Sequence, residues 1–152
     1  MKLSVLLLLA VCTTATLSCK KSDDTATPAA TGSTIDLKAV MPTGSWSIGT
    51  FQQRTEDKSS GFKNMSFVFS TDGTVTATQN GKITKGTWVY SPAVTYYGGN
   101  GLASLTINLG QSKPFDMLLN VTWNVNSAST SSSLQLDHKE PAEDEHISFV
   151  KL

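Results

Sequence analysis

The chain has 152 residues, with 12 Lys plus Arg against 12 Asp plus Glu and therefore no net charge. That balance offers no basic surface for nucleic acid, and the length suits one folded domain. Its only cysteines are Cys12 and Cys19, both near the start, so everything beyond them must be held by core packing without disulfides.

Residues 1–18 have the form of an export signal. Met1 and Lys2 make a short positive start, Leu3 to Val11 is continuously apolar, and Cys12 to Ser18 is small or hydroxylic apart from Leu17. Such a stretch is too short to span a bilayer stably. Thr16-Leu17-Ser18-Cys19 resembles the lipobox of bacterial lipoproteins, which implies that Cys19 becomes the lipidated first residue. Cys12 is a rival site, and a cleaved secreted protein with a free thiol is the other reading. Lys20, Lys21, Ser22, Asp23 and Asp24 resemble the Lys-then-acidic signals of Gram-negative lipoproteins sent to the outer membrane and often to the cell surface. Otherwise the run is a solvated tether.

Residues 19–43 are expected to be the lipidated N-terminus and a flexible linker. Thr25 to Ser33 contains only Thr, Ala, Pro, Gly and Ser, with no apolar face to bury. From Cys19 to Thr43 such a coil spans roughly 25 to 30 Å. The spacing from Ile35 to Met41 allows one helical turn, with Pro42 ending it.

The folded domain is expected over residues 44–152. Trp46 and Ile48 open a first strand running to about Gln53, and Arg54 to Gly61 is a polar loop. Phe62 to Ser70 is a second strand with Met65, Phe67 and Phe69 on one face; Thr71-Asp72-Gly73 turns into a third around Val75 and Ala77. Asn80-Gly81 is a strong hairpin signal, because both residues tolerate positive φ. The fourth strand, Ile83 to Tyr90, contains Gly86, which suits a bulge or a close backbone approach. A glycine-rich loop from Ser91 to Gly101 leads to the fifth strand, Leu102 to Leu109. Phe115 to Val125 alternates apolar and polar residues except at Leu118, and reads as one long, slightly bent strand. Leu134 and Leu136 mark a seventh strand. Ile147 and Phe149 mark an eighth beyond an acidic loop. The fold class is all-β, a small eight-stranded antiparallel up-and-down barrel, with a two-sheet β-sandwich as the alternative.

Gly44-Ser45-Trp46 resembles the Gly-x-Trp that opens lipocalins. Phe67-x-Phe69, Asp72-Gly73-Thr74 and Gly86-Thr87-Trp88 are similar to small lipocalin-like domains on Gram-negative lipoproteins. The resemblance covers residues 44–152 and implies a binding or accessory role. In lipocalins the first-strand Trp is capped by a basic residue near the last strand, and Lys151 is the residue available for that place.

No catalytic constellation is legible, so neither an enzyme nor a cofactor is expected. His138 and His146, with Glu140, Glu143, Asp144 and Glu145 between them, invite a metal reading, but the spacing matches no metal motif and an acidic, solvated hairpin loop is the expectation. Tyr96 and Tyr97, flanked by glycines, are the candidate ligand-binding residues, able to present aromatic faces to a small amphiphile or glycan at a barrel mouth, or to fold back on the domain. Trp46, Trp88 and Trp123 are expected in the core, since an eight-stranded barrel is only just wide enough for its own side chains. Two functions follow as expectations: capture of a small amphiphile or glycan, and docking of an accessory lipoprotein on an outer-membrane protein.

Overall fold

The computed structural model describes residues 35–96 and 99–152. The signal segment, Cys19, the linker as far as Thr34, and Tyr97 lie outside the described residues. Eight strands form the barrel: β1 Ser45–Gln53, β2 Met65–Phe69, β3 Thr74–Gln79, β4 Lys82–Ser91, β5 Ser104–Asn108, β6 Thr122–Val125, β7 Ser133–His138 and β8 Glu145–Lys151. Each pairs antiparallel with its sequence neighbour, and β1 pairs with β8 from Trp46↔Lys151 to Gln53↔Glu145. The barrel is closed, so the sandwich is excluded. Closure leaves no long unpaired edge to join another chain. A two-residue strand, Glu56–Asp57, adds to the end of β1.

Alternation places the large apolar residues inside. Met65, Phe67 and Phe69 on β2 are buried, as are Leu105 and Ile107 on β5 with Leu109 just beyond it, and Leu134 and Leu136 on β7. Outward positions carry Ser66, Thr74, Thr76, Thr78, Lys85, Thr87, Gln135 and Asp137. Polar residues thus dominate these outward positions, with aliphatics such as Val68, Ile83 and Val89 set among them, unlike the continuous apolar band of a membrane-spanning barrel.

Two glycines shape the wall. At Gly49 the β1–β8 register slips, with Ile48 opposite Phe149 and Thr50 opposite Ser148, so β1 carries one extra residue. The bulge changes the parity of the strand: Trp46 is buried before it and Phe51 after it. At Gly86 a Cβ would lie 1.9 Å from the backbone oxygen of Asn108. The close approach expected at Gly86 is therefore real. It lets β4 bend and meet β5 from Thr87↔Asn108 onward. The Asn80-Gly81 turn has φ of 50° and 80° at its two residues and joins β3 to β4 at Gln79↔Lys82.

The long strand expected over Phe115 to Val125 is not formed. Phe115–Met117 is a 3-10 turn, Asn120 turns the chain at φ 63°, and only Thr122–Val125 enters the sheet. Leu118, the residue that interrupts the alternation, is fully buried and Phe115 is buried beside it, at the three-residue spacing of a 3-10 helix. The segment folds inward and stoppers the end of the barrel where β1 finishes. Ser59–Phe62 is likewise a 3-10 turn rather than the start of β2, and it inserts Phe62 at that same end.

The opposite end is closed by the residues ahead of β1. Leu37–Val40 is one helical turn whose N-cap, Asp36, accepts from the Lys38 amide at 2.9 Å. Pro42 sits inside a following 3-10 turn, Met41–Thr43, and does not end the segment. Leu37 and Met41 are fully buried, and the Trp46 indole donates to the Met41 carbonyl at 3.0 Å. The Lys151 ammonium lies 5.8 Å above the Trp46 ring and donates to Thr43 Oγ1 at 2.9 Å. Core packing thus reaches back to Leu37, ahead of Gly44.

Candidate functional site

A column of aromatic rings runs along the interior among the described residues. From the Leu37 end inward, Trp88 meets Phe69 at 5.6 Å between ring centroids, Phe69 meets Phe149 at 5.9 Å, and Phe149 meets Phe67 at 5.6 Å. The column continues through Phe62 at 6.4 Å, Phe51 at 5.6 Å and Trp123 at 5.9 Å, and ends on His138 at 5.9 Å. Most contacts are edge-to-face, the arrangement aromatic quadrupoles favour. Trp88 Nε1 donates to the Ser70 carbonyl at 2.9 Å, whereas Trp123 Nε1 is buried without an acceptor among the described residues.

Open concavities lie outside this column, at the end where β1 finishes. The loop after β1 and the stopper before β6 meet there, with Gly61 close enough to Pro114 that a Cβ would stand 3.2 Å from the proline ring. Between them runs a groove of about 510 Å³ lined by Gln53, Lys58, Ser60, Lys113, Asp116 and Met117. Its polar side chains suit a small polar ligand or a protein edge. No motif announces it, because its two walls are some fifty residues apart in sequence and each alone reads as loop.

A second cleft, of about 270 Å³, lies along the β7–β8 hairpin, lined by Leu102, Asn124 and the acidic loop residues. The hairpin does not unite the two histidines. His146 is the cross-strand partner of Asp137 and faces outward, while His138, one position further along β7, turns toward Trp123. His138 Nδ1 sits within 3.1 Å of both the amide and the carbonyl of Glu140. His146 Nδ1 lies 2.7 Å from Asp137 Oδ1, and its Nε2 lies 3.3 Å from Asp144 Oδ1. The bond to Asp137 is the main cause that holds the His146 pKa above its usual value of 6.5; burial is the next largest effect and opposes it, and the bond to Asp144 adds a smaller raise.

The glycine-rich loop lies at the other end. Thr95–Tyr96 pairs with Gly99–Asn100 in a small hairpin between β4 and β5. Strand parity puts this connection at the end where β1 begins, beside the Leu37 turn, rather than at the open groove. Tyr90, near the end of β4, is half-buried; burial, then the Asp36 carboxylate, raise its phenol pKa.

Exposed aliphatic residues sit among threonines on the outer wall of β2 to β5, with Lys85 as the charged residue between Ile83 and Val89. Val68, Ile83 and Val89 project outward from β2 and β4, 45%, 62% and 59% exposed. Thr76 lies between Val68 and Lys85, Thr78 opposite Ile83, and Thr106 opposite Val89.

No protein-family model matches the chain, and no curated protein matches it. Among solved structures, the chain is similar to a DUF4847 family protein from Bacteroides vulgatus ATCC 8482, with a TM-score of 0.53 and 15% identity, covering 76% of this chain and 96% of that one. At that identity the likeness speaks for the shared barrel fold alone.

Proposed function

We propose that the chain is an accessory lipoprotein: a lipocalin-like module, anchored at the outer membrane through Cys19 and its linker, that docks a membrane protein on the outer surface of the barrel. The observation that supports docking over capture is the aromatic column from Trp88 to Trp123, which occupies the volume where a lipocalin-type ligand would sit. The exposed aliphatic side chains Val68, Ile83 and Val89 make their stretch of wall the surface best suited to a protein partner. Capture of a small amphiphile or glycan is the second reading, for which the groove between Ser60 and Met117 offers the most room among the concavities described above.

The test uses the full chain in its membrane. A photo-crosslinker at Val89 should join the wild-type protein to one defined membrane protein, and the adduct should vanish in Cys19→Ser, which should also leave the membrane fraction. Mass spectrometry of an organic extract of the purified protein decides the other reading. One lipid or saccharide per barrel, with no adduct at Val89, would replace docking by capture.

A further inference from the structure

We infer that His146 is a proton-operated latch on the β7–β8 connection, pinning Asp144 to the barrel wall when the imidazole is charged and releasing it when the imidazole is neutral. Both nitrogens of His146 face carboxylate oxygens, Asp137 at 2.7 Å and Asp144 at 3.3 Å. A neutral imidazole has one donor and one acceptor, so it can satisfy only one carboxylate and must turn a lone pair toward the other. Only the imidazolium donates to both. The two contacts together are therefore fully satisfied by the charged ring alone.

Geometry also decides which contact is lost. Asp137 is held from behind, since its Oδ2 accepts from Asn126 Nδ2 at 2.7 Å, and it sits in regular pairing on β7. Asp144 follows the short Pro141–Glu143 turn in a left-handed conformation, φ 52°, which is uncommon for a residue with a side chain. Its carbonyl accepts the Arg54 amide at 2.7 Å, and Arg54 is itself at φ 55° and paired with Glu143 at 3.4 Å. Deprotonation thus leaves Nδ1–H on Asp137 and turns the bare Nε2 toward Asp144. Two strained residues then lose one of the contacts that hold them.

The groups around the ring do not compensate. Gln52, opposite on β1, is neutral. Glu140 and Glu145 line the same cleft with Asp137 and Asp144, and His138 is engaged with the Glu140 backbone. The surroundings are acidic, which favours the charged ring. Because the connection walls both the cleft beside Asn124 and the concavity holding Arg54 and Glu143, the latch sets the shape of this end of the hairpin.

The experiment is a pH series on the full chain, following His146 ring ¹⁵N shifts and hydrogen exchange of the Arg54 and Asp144 amides. Below the midpoint both ring nitrogens should be protonated; above it, only Nδ1. Arg54 protection, corrected for the intrinsic pH dependence of exchange, should fall several-fold across the same midpoint. Asp144→Asn should remove that step while leaving a raised His146 midpoint through Asp137. His146→Gln should remove it altogether, and a core amide such as Phe149 should stay protected in both variants, showing that they fold. A His146 midpoint at or below 6.5, or Arg54 protection that shows no step there, would overturn the latch.

Discussion

The amide of Thr50 donates to the hydroxyl of Ser148 at 2.9 Å, directly across the bulge at Gly49, and the Thr50 hydroxyl stands 2.8 Å from the same oxygen. A bulge leaves a strand amide without its ladder partner, and here a buried serine, 5% exposed, supplies the acceptor. Ser148→Ala should leave that donor unsatisfied, at a cost of about 1 to 3 kcal/mol in a denaturation curve. Ser47→Ala, whose long 3.4 Å bond is exposed, should move stability by about 0.5 kcal/mol or less. Equal effects would mean that the bulge does not depend on Ser148.

Gly86 and Gly81 are both required, for different reasons. Any Cβ at Gly86 collides with the Asn108 backbone, and only separation of β4 from β5 relieves it. At Gly81 a Cβ meets nothing within 4 Å, and the obstacle is the positive φ alone. Gly81→Ala should cost about 1 kcal/mol, and Gly86→Ala about 3 kcal/mol or more. The order of the two melting temperatures is the measurement.

Trp123 points fully into the core, while Asn124 is on the outer face between Ser104 and Asp137. Trp123→Ala should cost about 3 to 5 kcal/mol, against about 0.5 kcal/mol or less for Asn124→Ala. Replacement by Phe separates volume from hydrogen bonding. Trp123→Phe gives up an indole N–H that has no acceptor among the described residues, whereas Trp88→Phe abandons the Ser70 carbonyl. The Trp88 change should be the more costly after allowing for volume.

Core packing among the described residues includes Leu37 and Met41, ahead of Gly44. A chain starting at Gly44 loses Leu37 and Met41 from the core and the acceptor of the Trp46 indole. It should be less stable than one starting at Thr34 by several kcal/mol, since each buried side chain of that size contributes about 2 to 5 kcal/mol. Matching urea midpoints would show the turn to be dispensable.

Stability should also follow His146. Its folded pKa lies above the unfolded value, so its contribution is fully present below pH 6.5 and is lost as pH rises through the folded pKa. The stability gap between the wild type and His146→Gln should accordingly be widest near pH 5.5 and close at alkaline pH. A gap that grows with pH would reverse the assignment of the charged form. The side chain is 52% exposed, so the gap should be small.

Much of the barrel was legible because strand patterns are local. Met65-x-Phe67-x-Phe69 and Leu105-x-Ile107-x-Leu109 declare their inward faces two residues at a time, and Asn80-Gly81 declares a tight turn. Leu118 was the visible signal that Phe115 to Val125 was not one strand. Its meaning depended on a barrel end needing a stopper, which no short window contains.

Sequence alone therefore determined the all-β class, the antiparallel order and most of the inward faces, since each follows from alternation and turn chemistry within a few residues. Tertiary structure decided the rest. The Gly49 bulge exists only against β8, and its change of parity turns Phe51 inward; the groove exists only where the Ser59 and Pro114 segments meet. Which end receives the Tyr96 hairpin, and which imidazole faces the acidic connection, depend on the parity of strands counted around a closed barrel. Those properties arise from pairings between residues far apart along the chain, where local pattern carries no information.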